Sequence, residues 1–370
     1  MAKYFLIAGE ASGDTHAASL VEQIRQRDPE ALFIGLGGDR MAAAGVRLVQ
    51  HIRLMAYMGY VEVIKHSGQI RRNFRLTEQA LLAERPDVLI LIDYPSFNLR
   101  IAAFCRKHLP DTRITYYIPP KVWAWKRRRI HTIARLCDRV LGIFPFEPDF
   151  YAQYGYQCTY VGNPTAEVLQ RQRSDSVSGL TAQRSVIAIL PGSRPFEIHK
   201  CLPKMLSAAR RFQDYRIVVC AAPGISDEAY LPLLREGETL TRDTYAAVRE
   251  ARAAIVNSGT ATLETALLHC PQVAVYQVAC PHLVGLILRC AHSLIFSIPY
   301  FTLVNIITGQ ETIKECIANR FTVDNIAAEL QRLLTDEDYR KKMLASYEHL
   351  SQTLGTLPAS VTAAELITSK

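Results

Sequence analysis

Two carboxylate side chains stand where a ligand or a reacting group could meet them. Glu10 lies in the loop Gly9–Asp14, directly after an apolar run at residues 4–8. Asp93 directly follows a second apolar run, residues 88–92. A carboxylate at the carboxyl end of a buried strand can act as a general base or accept hydrogen bonds from a ligand. A tight turn or a helix cap would use the same residue types, so the local pattern leaves both interpretations open.

A loop in the second half of the chain combines groups that can bind phosphate. Gly192, Ser193 and Arg194 follow the apolar run at residues 186–190. The glycine lets the backbone approach a ligand, the serine supplies a hydroxyl group, and the guanidinium group can bind phosphate through two parallel hydrogen bonds. We therefore predict a phosphate contact here, with an ordinary turn as the alternative.

A second phosphate-binding element is predicted at Ser258-Gly259-Thr260, between a buried run and a helical pattern. The free amide groups and the dipole of a helix N-terminus favour a pyrophosphate. Glu264 follows one turn later, where its carboxylate can accept hydrogen bonds from ribose hydroxyl groups. Ser258 or Thr260 could instead serve only as a side-chain cap.

The loop Gly9–Asp14 matches neither GxGxxG nor GxxxxGK[ST], which disfavours a dinucleotide dehydrogenase and a P-loop ATPase. The nine cysteines include no CxxC pair, and no metal-ligand spacing occurs. We therefore expect no metal and no cofactor. The stretch nearest to a membrane span, residues 283–304, is interrupted by Arg289, His292 and Pro299, so no spanning helix is expected.

Aromatic and basic residues stand together in the first half. Trp123 and Trp125 precede Lys126, Arg127 and Arg128, and residues 121–135 contain no acid. Such a segment could stack on RNA bases, lie at a membrane interface, or form an ordinary solvated helix face.

A second stretch, residues 55–64, is apolar, includes Met58 and is followed by Arg71, Arg72 and Arg75. It suits acyl chains beneath a phosphate group, although a core helix would look the same. Together the two stretches favour an anionic lipid over nucleic acid, in keeping with a net charge of +8.

The elements that must position these residues alternate between short apolar runs and helical patterns. The runs lie at residues 4–8, 31–36, 88–92, 114–118, 139–143, 186–190, 216–220, 253–256 and 272–278. This alternation predicts parallel sheets covered by helices, and a length of 370 residues suits two domains. We expect two doubly wound Rossmann-like domains facing a cleft, at residues 1–168 and 184–340. A polar linker is expected at 171–185, and a helical tail at 341–370 that could pack back on the first domain.

In this order the motifs resemble the lipid-A-disaccharide synthase family, inverting glycosyltransferases of the two-domain GT-B type (glycosyltransferase family 19). The matching segments cover about the whole chain. They are Gly9-Glu-Ala-Ser-Gly-Asp14, Met58-Gly-Tyr-Val-Glu-Val63, Ile92-Asp-Tyr-Pro-Ser-Phe-Asn98, Val122-Trp-Ala-Trp125, Phe144-Pro-Phe-Glu147, Leu190-Pro-Gly-Ser-Arg194, Ser258-Gly-Thr-Ala261 with Glu264, and Asn305 ahead of Gly309.

The resemblance implies transfer of a diacylglucosamine from its UDP derivative to diacylglucosamine 1-phosphate, with UDP as the leaving group. It implies an enzyme on the anionic inner face of the inner membrane, independent of nucleic acid, and it allows a homodimer. The residues expected at the reaction are Asp93 as base, Glu10 as the second candidate, and Asn305. The residues expected to bind UDP are Ser193, Arg194, Ser258, Gly259, Thr260, Glu264 and Tyr276. Those expected to contact the acceptor or the membrane are Ser12, Met58, Trp123, Trp125, Lys126, Arg127 and Arg128.

Three positions depart from the family pattern. Pro119 and Lys121 stand where many members carry serines, and Ser96 replaces a common acid. These changes affect the expected acceptor contacts and not the reaction class. Two rival functions remain at this point: a UDP-sugar 2-epimerase on the same architecture, and a basic RNA-binding protein.

Overall fold

The computed structural model describes residues 2–55, 67–124, 126–174, 185–277 and 300–369. The chain divides into two compact units. Unit 1 comprises Met1–Glu167 with Thr356–Lys370, and unit 2 comprises Val168–Gly355. Of the predicted linker, residues 171–174 continue a helix and residues 175–184 lie outside the described residues.

Unit 1 contains one parallel sheet. Its strands are β1 Lys3–Ala8, β2 Leu32–Gly37, β3 Arg47–His51, β4 Val88–Ile92, β5 Arg113–Tyr117, β6 Arg139–Gly142 and β7 Thr159–Tyr160. They lie in the order β3-β2-β1-β4-β5-β6-β7. The direction of strand addition reverses at β1, so the sheet is doubly wound. Strand β4 is buried along its whole length, which accounts for its unbroken run of Val, Leu and Ile.

Helices cover both faces of this sheet. They are α1 Ala11–Arg27, α2 Asp39–Ala43, α3 Ser67–Glu84, α4 Pro95–His108, α5 Arg129–Leu136, α6 Glu147–Ala152 and α7 Pro164–Ser174. Apolar residues of α3, α4 and α5 share one core cluster with the sheet. Those of α1 lie in a second cluster with side chains from the opposite face of β1 and β4.

Unit 2 repeats the arrangement with six parallel strands. They are β8 Val186–Leu190, β9 Arg216–Cys220, β10 Thr239–Thr241, β11 Ala251–Asn257, β12 Gln272–Tyr276 and β13 Lys314–Ile317. Their order is β10-β9-β8-β11-β12-β13. The described helices are α8 Pro195–Ala209, α9 Thr244–Glu250, α10 Thr260–Leu267, α11 Leu303–Thr308, α12 Val323–Thr335 and α13 Glu337–Leu354. The prediction of two doubly wound α/β sheets is confirmed.

The last helix, α14 Ala359–Thr368, belongs to unit 1. Its residues Ala363, Ala364 and Ile367 share a core cluster with apolar residues of α1. At its first turn, the Ser360 hydroxyl donates a 2.6 Å hydrogen bond to the buried carboxylate of Glu167. The expected tail boundary at residue 341 falls inside α13, which lies in unit 2. No helix in the described parts of the chain is both long and apolar enough to cross a membrane.

Candidate active site

Four charged residues of unit 1 follow neighbouring strands of its sheet. Glu10 follows β1, Asp93 follows β4, Lys121 comes after β5, and Glu147 comes after β6. Because the carboxyl ends of parallel strands meet at one edge of a sheet, the fold gathers these residues there. The electrostatic interactions of Lys121 with all three carboxyl groups agree with this placement.

The backbone bends sharply where Asp93 leaves β4. Asp93 and Tyr94 both adopt left-handed conformations, with φ of 45° and 46°, which is uncommon for residues other than glycine. The Asp93 amide donates to the carbonyl of Ile118 at 3.2 Å. Its own carbonyl accepts hydrogen bonds from Asn98 Nδ2 at 2.7 Å and from the Tyr116 hydroxyl at 2.8 Å. The turn leaves the Asp93 residue exposed at the edge of the sheet.

The loop that carries Glu10 is packed against this turn. A side chain at Gly9 would collide with the ring of Tyr94, so only glycine fits this position. The Tyr94 hydroxyl donates a hydrogen bond to the carbonyl of Met55 at 3.0 Å. Burial of the phenol raises the Tyr94 pKa, and the charge of Glu10 raises it further. Glu10 and Asp93 are thus held on adjoining loops.

Opposing influences act on the Asp93 carboxyl group. Loss of contact with water raises the pKa of this carboxyl group, whereas the charge of Lys121 and a hydrogen bond from the Tyr94 amide lower it. The pKa of Lys121 is itself lowered by the protein around its ammonium group, with Asp93, Glu147 and Glu10 opposing that shift. A raised carboxyl pKa is the property expected of a general base that works near neutral pH.

Other members of the Gly9–Asp14 loop have structural roles. Asp14 is buried and accepts hydrogen bonds from the amides of Gly38 at 2.6 Å and Met41 at 3.1 Å, so it fixes the start of α2. Ser12 is exposed on the first turn of α1. Only Glu10 and Ser12 of this loop therefore offer side-chain oxygens to a ligand.

Trp123 does not lie at a surface, which corrects its prediction as an acceptor or membrane contact. The residue is 4% exposed, and its ring packs edge-on against Phe144 and Phe146. Its indole Nε1 donates to Glu147 Oε1 at 3.1 Å. A buried indole N–H needs a hydrogen-bond acceptor, and Glu147 supplies it. The bond therefore links the loop that carries Trp123 to the segment that carries Glu147.

The Glu147 carboxylate that accepts this hydrogen bond is itself buried and bonded to the backbone. The residue is 1% exposed, and its Oε2 accepts from the amides of Ile143 at 2.8 Å and Phe144 at 3.0 Å. Burial raises its pKa to about 7, although these donors and Trp123 lower it. The basic residues Lys126, Arg127 and Arg128, which follow Trp125 in the sequence, are exposed. Met58 and Trp125 lie outside the described residues.

In unit 2, the loops after the adjacent strands β8 and β11 approach each other. Gly192 has a φ of 112°, and a side chain there would come within 2.7 Å of Asn257 Nδ2. The Ser193 amide donates to Glu197 Oε2 at 3.0 Å, and Arg194 Nη1 contacts Glu197 Oε1 at 3.3 Å. Glu197 is buried, whereas the Arg194 side chain is 48% exposed and can still bind an anion.

Helix α10 starts with Gly259 as its N-cap, and no side chain in the described part of the chain caps it. Neither Ser258 nor Thr260 caps the helix through its side chain, and the amides of Gly259 and Thr260 have no hydrogen-bond acceptor among the described residues. The Ser258 amide donates to the carbonyl of Val275 at 2.7 Å, which places this loop beside the end of β12. Thr260 is exposed.

Glu264 and Tyr276 both follow this loop in the sequence, Glu264 in α10 and Tyr276 at the end of β12. Burial raises the pKa of Glu264, and a hydrogen bond from the Tyr245 side chain lowers it. The pKa of Tyr276 is raised by burial and by Glu197, and lowered by Arg194. Tyr276 thus interacts electrostatically with both Arg194 and Glu197, whereas no sequence motif points to Tyr245.

Asn305, predicted as a catalytic residue, is buried, and both polar atoms of its side chain are hydrogen-bonded. It is 0% exposed, and Nδ2 donates to the carbonyl of Ile313 at 2.9 Å and to Glu315 at 3.0 Å. Its Oδ1 accepts from the Ile313 amide at 2.9 Å. With these bonds the side chain fastens α11 to the segment that leads into β13.

Two other features of the described residues bear on where a ligand could bind. No group of three or more His, Cys, Asp or Glu residues in the described segments could hold a metal ion. A depression of about 530 Å³ lies at the β10 edge of unit 2, where Arg242 pairs with Asp227. None of the predicted site residues lines it.

Solved structures of similar fold include both glycosyltransferases and epimerases. The kitacinnamycin glycosyltransferase aligns with a TM-score of 0.65 and 13% identity, covering 99% of this chain and 98% of that one. The UDP-GlcNAc 2-epimerase of Neisseria meningitidis aligns with a TM-score of 0.66 and 10% identity, covering 98% and 99%. These likenesses establish the fold but do not choose between the two activities.

The sequence comparisons do make that choice. The family model described as lipid-A-disaccharide synthetase matches residues 4–366. Lipid-A-disaccharide synthase of Geobacter sulfurreducens is 37% identical over 366 residues, covering 96% of this chain and 93% of the relative. That of Myxococcus xanthus is 36% identical over 382 residues, covering 99% and 96%. The chain therefore belongs to the lipid-A-disaccharide synthase family.

Proposed function

We propose that the chain is a lipid-A-disaccharide synthase. It transfers 2,3-diacylglucosamine from UDP-2,3-diacylglucosamine to 2,3-diacylglucosamine 1-phosphate, and forms a β-1',6-linked disaccharide 1-phosphate and UDP. The observation that carries this proposal is the family match across residues 4–366. The epimerase alternative shares only the fold, at 10% identity. The RNA-binding alternative is disfavoured because buried Trp123 cannot stack on a base.

Unit 2 is proposed to hold the UDP portion of the donor. Arg194, the Ser193 hydroxyl and the uncapped amides at Gly259 and Thr260 bind the diphosphate, with Ser258 beside them. Glu264 accepts hydrogen bonds from the ribose, and the end of β12 at Tyr276 faces the uracil. As the bond to the departing diphosphate breaks, Arg194 and the helix dipole stabilise the negative charge that accumulates on UDP.

Unit 1 is proposed to supply the base. Asp93 removes the proton of the acceptor 6-hydroxyl as that oxygen attacks the anomeric carbon on the face opposite UDP, which inverts the configuration. The exposed position of Asp93 at the strand end and its raised pKa support this role over that of a plain helix cap. Glu10, on the adjoining loop, is the second candidate.

The test is an assay of the purified chain with both acylated sugars, in which mass spectrometry detects the disaccharide 1-phosphate and a coupled assay detects UDP. Asp93→Ala should lower turnover by about 10²–10⁴-fold. Asp111→Ala changes an exposed aspartate at the opposite end of β5 and should leave turnover unchanged. Absence of disaccharide from the unmodified chain would overturn the reaction, whereas normal turnover of Asp93→Ala would transfer the base role to Glu10.

A further inference from the structure

The turn that presents Asp93 is held from two other elements. Asn98 lies on the first turns of α4, and Tyr116 lies in β5. Both are 0% exposed. Asn98 Nδ2 donates to the carbonyls of Asp93 at 2.7 Å and Ile92 at 3.2 Å, and the Tyr116 hydroxyl donates to the same Asp93 carbonyl at 2.8 Å.

These bonds matter because Asp93 and Tyr94 are consecutive left-handed residues. Such conformations persist only where the surroundings hold them, and they are concentrated at functional sites. Two donors on one carbonyl oxygen fix the orientation of that peptide group. The Cα–Cβ bond of Asp93 leaves the same residue, so its direction is set together with that of the peptide group.

The chemistry of the two donors suits this purpose. Burial and the nearby charge of Asp93 hold the pKa of Tyr116 well above its ordinary value, so its hydroxyl remains a donor. The Asn98 amide does not titrate. Its Oδ1 is buried and has no hydrogen-bond partner among the described residues, so the side chain acts here through Nδ2. Neither residue contributes a group that reaches the surface.

We propose that Tyr116 and Asn98 are positioning residues for the reaction, acting through the Asp93 carbonyl and not on the substrate. This inference rests on the proposed role of Asp93 as the base. It predicts that loss of either donor lowers the turnover number while the KM for the UDP-sugar changes little, because the donor site belongs to unit 2.

Tyr116→Phe is the sharper variant, since it removes one oxygen and keeps the buried ring. We expect it to lower kcat by about 10-fold to 100-fold, the size of effect that a misplaced catalytic group causes. In the Asp93→Ala background the same substitution should cause no further loss, because Tyr116 then has no base to position. Asn98→Ala should behave in the same way where it folds.

Tyr117→Phe is the matched control. It removes a buried hydroxyl from the next residue of β5, whose ring lies in the other core cluster, and it should leave kcat unchanged. If Tyr116→Phe turns over normally while Asp93→Ala is inactive, the positioning role is wrong and the base assignment stands. A further loss from Tyr116→Phe in the Asp93→Ala background would show a merely structural role. Normal turnover of Asp93→Ala alone would instead overturn the proposed base.

Discussion

The ammonium group of Lys121 interacts with the carboxyl groups of Asp93, Glu147 and Glu10. Burial raises the pKa of Asp93 and Lys121 lowers it. A general base must be deprotonated, so activity should fall as the pH drops through this pKa. Lys121→Met removes the opposing charge, and the acid limb of the kcat profile should then move to higher pH. Turnover measured across the acid range checks this.

Lys107→Met is the matched control, because it neutralises an exposed lysine of α4 that is not among the groups shifting the Asp93 pKa. Its acid limb should coincide with that of the unmodified chain. A shift to lower pH in Lys121→Met, or an equal shift in both variants, would contradict the direct electrostatic effect.

Residue types and spacing could predict which side chains carry reactive groups but not whether those groups are free. Asp93, Ser193 and Arg194 were identified from their positions after apolar runs, and the structure leaves all three exposed. Asn305 was chosen by family resemblance and Trp123 by its aromatic and basic neighbours in the sequence, and both are buried with their polar atoms paired. Pairing depends on partners such as Glu147, which only the folded chain brings within reach.

At the scale of elements, the Trp123–Glu147 hydrogen bond ties the loop after β5 to the start of α6. Trp123→Phe removes the donor and should lower the free energy of unfolding by about 1.5–3 kcal/mol, the usual contribution of a hydrogen bond to a charged group. The pKa of Glu147 is raised to about 7. In the unmodified chain, the buried carboxylate therefore destabilises the fold progressively as the pH rises from the ordinary glutamate range through 7.

The loss in Trp123→Phe should accordingly be larger at about pH 8, where Glu147 is ionised and needs the donor, than at about pH 5, where it is protonated. Urea denaturation at the two pH values measures both. In the Glu147→Gln background, the effect of Trp123→Phe should no longer depend on pH. A larger loss at the lower pH would mean that the bond does not stabilise the carboxylate.

The elements themselves were predictable in proportion to their burial. Runs such as β4 and β8 are buried throughout and stand out as unbroken apolar segments. The strands that the pattern missed are short or partly exposed, as in β7 with two residues and β10 with three. Hydrogen bonding to an already formed neighbour, and not side-chain pattern, defines such edge strands.

At the scale of the whole molecule, the sequence pattern predicted two α/β sheets and a helical tail that could pack back on the first domain, but not where that tail begins or which helix it contacts. Helix α14 packs on α1 although more than 300 residues separate them along the chain, and Glu365 pairs there with Arg27 at 2.7 Å. Nothing local in either helix identifies the other. The net charge of +8, in contrast, follows directly from the amino-acid sequence, and the structure shows which of the basic side chains are exposed.

Exposed basic residues gather on the helices of unit 1 that share one core cluster. They include Arg71, Arg72 and Arg75 of α3, and Arg127 and Arg128 just before α5. A basic side chain near an anionic bilayer contributes about 1 kcal/mol to binding. Reversing two of these charges, in Arg127→Glu with Arg128→Glu, should therefore weaken binding to phosphatidylserine vesicles by at least about tenfold at low salt.

Lys341→Glu with Lys342→Glu is the matched control, since it changes the net charge equally at two exposed positions of α13 in unit 2. Vesicle sedimentation should show wild-type binding for this pair. Added salt should diminish the difference between the two variants, because it screens exposed charges. Equal loss in both pairs would show that overall charge and not this surface draws the protein to the bilayer. Unchanged binding in the Arg127/Arg128 pair would exclude these two arginines from the membrane contact.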